Sequence, residues 1–334
     1  MRWDDVNARV RGMSGHLLGR AALEDLAGEA EVDGIVRRLR DGPWDAGLRG
    51  AFAAPGEVDL SIRRAAAARL ATLGTWAGRR VRRLVILFED EDRRSIRALV
   101  RGAVGGARSE ARLAGLIPTP ELPEAALEEL ARQPTAAAVA TLLVAWGNPY
   151  GSAIFELATQ SQPDLFAIEL ELARTFALRA RRSARGSALR AFVRDAIDVE
   201  NCVSAVALAG HRIGARIDAA FLDGGARVTR DNFVFAARAE DGDRALGRLA
   251  RAVDPRTPLG AALLAATPAT LEKTLLRWRV AAQRRLARLH PLGPALLLGW
   301  ALRLRAQVMD LRTITWGVAL RAPRPLLLAE LVTV

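Results

Sequence analysis

The chain has 334 residues with 49 basic and 37 acidic side chains, a formal charge of +12, and 51% hydrophobic against 5% aromatic residues. Ala, Leu and Arg dominate, which favours helices over strands and excludes wholesale disorder. One cysteine, Cys202, permits no internal disulfide, and His16, His211 and His290 lie too far apart for ligand-type spacing, which excludes a zinc cluster.

In chain order, Met1-Arg2-Trp3-Asp4-Asp5 places acids where a signal peptide would carry its apolar stretch. Pro and Gly clusters then punctuate a helical pattern at Asp41-Gly42-Pro43-Trp44, Ala54-Pro55-Gly56, Ile117-Pro118-Thr119-Pro120, Gly147-Asn148-Pro149, Asp223-Gly224-Gly225, Asp254-Pro255 and Pro291-Leu292-Gly293-Pro294. Between them apolar residues recur at three and four positions, as in Leu165, Ile168, Leu172 and Phe176. Val81–Phe88 and Phe166–Leu172 fit a strand as well locally, but their settings favour helix. Gly102, Gly105 and Gly106 lack the spacing of a dinucleotide fingerprint. The single lysine, Lys273, stands in Leu271-Glu272-Lys273-Thr274 without the glycines of a phosphate loop. The most apolar stretch, Leu292–Leu302, is short of the roughly 20 residues a spanning helix needs. These absences leave no catalytic, cofactor-binding or metal residue to nominate, and no cofactor is expected.

Three segments align: Asp92–Val100, Asp198–Val206 and Gln307–Thr315. Each begins with a polar residue, repeats one three positions on, and continues with apolar groups, Ile96 and Leu99, Cys202 and Ala205, Leu311 and Ile314. Upstream, Leu23-Glu24-Asp25-Leu26-Ala27 matches Leu127-Glu128-Glu129-Leu130-Ala131, and each is followed by a Pro-aromatic turn, Pro43-Trp44 or Pro149-Tyr150. Two matches at nearly one offset predict an all-α chain of three helical units, 1–115, 116–222 and 223–334.

The polar pairs Asp92/Ser95, Asp198/Asn201 and Gln307/Asp310 share a helical face. They read either as helix caps and first-turn acids or as three edges that bind another protein. Arg94, Arg97 and Arg101 form a stripe that reads as a solvated face or a partner contact. Runs such as Glu89-Asp90-Glu91-Asp92-Arg93-Arg94 interleave both signs and read as a solvated surface, which argues against nucleic acid as the partner. Cys202 reads as a small core residue, and His211 as a group near a helix end.

With Asn7-Ala8-Arg9-Val10-Arg11-Gly12-Met13, Leu17-Leu18, Asp198-Val199-Glu200-Asn201 and Val308-Met309-Asp310-Leu311-Arg312-Thr313-Ile314 followed by Leu328, Leu331 and Val332, the chain resembles the central-stalk subunit of V-type and A-type rotary ATPases, designated C in the prokaryotic complexes and d in the eukaryotic ones. Val203 and Ala207 stand where that family often has basic residues, whereas Arg97 and Arg101 keep them. The resemblance implies three similar helical lobes in a funnel with pseudo-threefold symmetry and no active site. It implies a rotor subunit that links the central shaft (D/F type) to the membrane rotor ring (c/K/L type) and transmits torque for ATP-coupled proton or sodium transport. It further implies a peripheral place on the cytoplasmic face, contact with the membrane only through the ring, one copy per complex and a monomer when isolated. The candidate partner interface is Arg94, Arg97, Arg101, Asp198, Asn201, Asp310 and Arg312. An arginine-rich helical nucleic-acid-binding or scaffold protein is the alternative. A helical enzyme with a site built from scattered acids ranks below both, because no spacing nominates a pair.

Overall fold

The computed structural model describes residues 3–40, 42–44, 54–211 and 214–333. No strand occurs among them, so the all-α expectation holds, and both ambiguous stretches are helical.

After α1 (Asp4–Ser14) the helices form three runs in chain order. The first has short α2 (Arg20–Leu26) and α3 (Val32–Arg40), long α4 (Pro55–Ala77) and α5 (Val81–Val104), then short α6 (Ser109–Leu113). The second has α7 (Glu124–Arg132), α8 (Ala136–Ala145) and α9 (Pro149–Ala158), then long α10 (Leu165–Ser183) and α11 (Ser187–Leu208), and α12 (Gly214–Ala220). The third repeats the series with α13 (Arg230–Ala237), α14 (Gly242–Ala252), α15 (Pro258–Leu264), long α16 (Leu271–Leu289) and α17 (Ala295–Ala319), and α18 (Arg324–Glu330). The sequence boundaries after 115 and 222 fall in the loops that follow α6 and α12.

Local chemistry sets these limits. Thr135, Thr229, Asp241 and Thr257 accept hydrogen bonds from backbone N–H groups in the first turns of α8, α13, α14 and α15, and Asn148 does so for α9. Pro55, Pro149 and Pro258 open α4, α9 and α15, where a missing N–H costs nothing. The last long helix of each run stops in the same way. Two residues past α5, α11 and α17 stand Gly106, Gly210 and Arg321, all in the left-handed region at φ 66°, 81° and 56°. Behind Gly106 and Arg321 the next N–H turns back to a helix carbonyl, Ala107 to Gly102 and Ala322 to Gly317.

Two compact units emerge from the packing. One combines Met1–Phe176 with Arg303–Val334, and the other is Ala177–Leu302. In the discontinuous unit, α5 packs against α4, α6, α7 and α8, with α1 on α4 and α8 on α9. The α8–α9 crossing is close: a Cβ on Gly151 would lie 2.6 Å from both Leu143 Cβ and the Val144 nitrogen. In the continuous unit, α11 packs against α13, α14 and α16, and α15 lies on α14 and α16.

Candidate partner interface

The aligned polar residues lie in the middle of α5, α11 and α17, not at their starts. The capping role considered for Asp92 and Asp198 is therefore corrected, since no free N–H group exists there to cap. These side chains turn inward and hold a segment that returns 21 to 30 residues later. On α11, Asn201 donates from Nδ2 to the Leu222 carbonyl and accepts at Oδ1 from the Leu222 N–H, both at 2.9 Å. Asp198, one helical turn earlier, accepts from the N–H groups of Ala226, Arg227 and Val228 at 3.0–3.1 Å. A Cβ on Gly225 would sit 2.2 Å from the Asp198 carboxylate, so the loop approaches closely only as glycine.

The discontinuous unit uses the same device. Asp310 on α17 accepts from the N–H groups of Val332 and Thr333. Asp92 on α5 accepts from the Thr119 hydroxyl, and Thr119 Oγ1 accepts from the Leu122 N–H at 3.0 Å. Gln307 accepts from the Trp44 indole at 3.2 Å and donates to the Leu18 carbonyl at 3.0 Å. Ser95 is buried.

Asp198, Asn201 and Asp310 are at most 1% exposed. As contact residues for another protein they are corrected, because each is enclosed and holds the chain's own backbone. Burial pushes the Asp198 carboxyl up from its ordinary value, against the lowering effect of the Val228, Arg227 and Ala226 N–H groups. Burial also raises Asp92, to about 7, with its hydrogen bond to Thr119 opposing and Glu91, Glu121 and Glu89 adding to the rise.

The mixed-charge run on α5 is buried as well. Glu89, Asp90, Glu91, Asp92 and Arg93 are each 7% exposed or less, which corrects the solvated reading. Arg93 donates to Asp90 at 3.2 Å and lies 5.1 Å from the Phe176 ring, Arg94 reaches the same carboxylate at 3.4 Å, and Arg305 of α17 pairs with Glu91. Cross-pairing lets Asp90 and Glu91 leave water, since a buried charge is tolerated only with a partner. Arg94 and Arg97 are consequently half-buried, and of the stripe Arg101 alone is exposed. Arg101 pairs with Glu169 of α10, and exposed Arg312 lies 3.8 Å from Asp59 of α4, which is also 3.5 Å from Arg63. Burial raises the Asp59 carboxyl, while Arg312 and Arg63 act to lower it.

Cys202 is fully buried, and burial pushes its thiol upward. His211 is exposed just past α11. No group of His, Cys, Asp or Glu with metal-binding geometry occurs among the described residues, and no described helix is long and apolar enough to cross a membrane. The sequence matches the family model described as ATP synthase (C/AC39) subunit over residues 6–326, from α1 into α18. The chain belongs to the ATP synthase C/AC39 subunit family. No curated protein matches this C/AC39 chain significantly. The family match spans both compact units of the C/AC39 chain and all three helix runs, as the sequence resemblance does.

Proposed function

We propose that this chain is the non-catalytic rotor subunit that joins the central shaft to the membrane rotor ring of a V/A-type rotary ATPase and carries torque between them. The observation that carries the reading is the family match over residues 6–326. The threefold series of short and long helices supports a funnel of three similar lobes, 1–115, 116–222 and 223–334. Torque transfer needs stiff elements, and inward polar clasps with cross-paired buried charges supply stiffness without any reactive group. Its partners are D/F-type shaft subunits and a c/K/L-type ring, met at the cytoplasmic face with one copy per complex. Among the nominated residues, Arg101 and Arg312 present cations at the surface and are the ones able to meet acidic partner groups.

An affinity tag on the chain, with purification from membranes, tests this reading. Shaft and ring subunits are expected to travel with it. Its purification alone, or with unrelated proteins, overturns the proposal. In the isolated protein, R101Q should leave the melting temperature within a few degrees and lower affinity for the shaft or ring about tenfold or more.

A further inference from the structure

Between Glu272 and Asp310 the sequence contains no acid, while Lys273, Arg277, Arg279, Arg284, Arg285, Arg288, Arg303 and Arg305 fall there. Acid-free basic stretches also run from Asp59 to Glu89 and from Glu171 to Asp195, but this one is the longest of the three. Its part up to Leu302 lies within the continuous unit and forms α16, a short turn over 290–294, and the start of α17, whereas Arg303 and Arg305 belong to the discontinuous unit. The turn closes tightly, with the His290 N–H on the Leu286 carbonyl and the Gly293 N–H on the His290 carbonyl.

The side chains at this tip divide by chemistry. Leu289 and Leu292, at 66% and 64%, are among the most exposed large apolar residues of the chain, and Pro291 between them is exposed too. One turn behind, Arg284, Arg285 and Arg288 line the same end of α16, and none makes an ion pair among the described residues. Cations near a helix C-terminus answer the carbonyl dipole, but that role requires no leucines in water. An apolar point with a basic collar has the shape of an interfacial anchor. Leucines at the apex enter the headgroup–acyl boundary while guanidinium groups on flexible stems reach phosphates. A protein partner is ordinarily met by an interface core enriched in Trp, Tyr, Phe and Met, and none of these stands between Trp278 and Trp300.

We infer that the α16–α17 tip is a contact site for anionic phospholipid, with Leu289 and Leu292 inserted and Arg284, Arg285 and Arg288 on the phosphates. The inference does not depend on the rotor assignment, because the isolated chain should show it without any other subunit.

Flotation of the full chain with vesicles of phosphatidylcholine, or of phosphatidylcholine mixed with phosphatidylglycerol, tests it. Binding is expected to the mixed vesicles only, and to weaken as salt is raised. R284Q/R285Q/R288Q should lose about tenfold or more of that binding, and L289S/L292S should lose it comparably with the charge unchanged. R132Q/R238Q/R256Q removes the same charge from exposed sites elsewhere and should bind like the parent. Circular-dichroism melts establish that each variant is folded, and single substitutions replace any that is not. No binding by the parent chain, equal loss in the R132Q/R238Q/R256Q control, or full binding by L289S/L292S each overturns the assignment. Capture by an acidic protein in the absence of vesicle binding does the same.

Discussion

Asn201 meets the donor and the acceptor of one backbone unit, that of Leu222, in a site closed to water. Asn201→Ala strips both bonds and leaves an N–H and a carbonyl unsatisfied, so urea denaturation should register a loss of about 2–4 kcal/mol. Asn201→Asp keeps the acceptor for the Leu222 N–H but sets a carboxylate against the carbonyl, and should be no better than Asn201→Ala at neutral pH. Asp92 gives a pH signature of its own. Its folded value is about 7 against an ordinary 3.8, so the folded chain holds this proton more tightly than the unfolded chain. Its contribution to stability is full below pH 4, is lost as pH rises toward 7, and is flat above that. Asp92→Asn should flatten the stability profile across this window by on the order of a few kcal/mol, as read from denaturation midpoints at a series of pH values. Residue chemistry of this kind was half legible. Spacing identified Asp198, Asn201 and Asp310 as related, but the direction of a polar side chain depends on where a loop some twenty residues downstream returns. The Glu89–Arg94 run misled for a similar reason: alternating signs describe a wet helix face unless distant cations arrive, and Arg305 is 214 positions away from Glu91.

Helices were legible almost throughout, because the signals that bound them are local. Thr135, Asn148-Pro149, Thr229, Asp241 and Thr257-Pro258 begin helices by hydrogen bonding to nearby backbone or by fixed φ, which requires no tertiary partner. Close crossings were not legible. Gly151 follows the Pro149-Tyr150 turn without any local signal of a contact, yet it lies where α9 meets the Leu143–Val144 backbone of α8. Gly151→Ala forces those helices apart and should cost about 1–3 kcal/mol, lowering the melting temperature. The shared helix ending gives the opposite sign. Arg321 holds at φ 56° the left-handed conformation that Gly106 and Gly210 adopt after α5 and α11. Arg321→Gly should therefore stabilise the chain by about 1 kcal/mol, and a thermal melt that falls would show the Arg321 side chain contributing more than the strain it imposes.

At the scale of the whole molecule, the three runs of helices and the two compact units divide the chain differently, because one follows order along the sequence and the other follows packing. Residues 303–334 close a unit begun by residues 1–176, with Arg305 pairing Glu91, Arg312 facing Asp59 and Arg20 donating to the carbonyls of Leu328 and Thr333. That arrangement governs the order in which the protein can be built. On the ribosome, the first 176 residues emerge with Glu91 and Gln307's partner Trp44 still waiting for α17, while the intervening 177–302 unit leaves the exit tunnel with all of its sequence. Nascent chains stalled once residue 302 has cleared the tunnel should therefore be cut readily by protease within 1–176 and resist within 177–302, and release of residues 303–334 should protect both. Residues 1–176 thus pass through translation without the α17 groups that meet Glu91 and Trp44, the interval in which exposed apolar surface attracts holding chaperones.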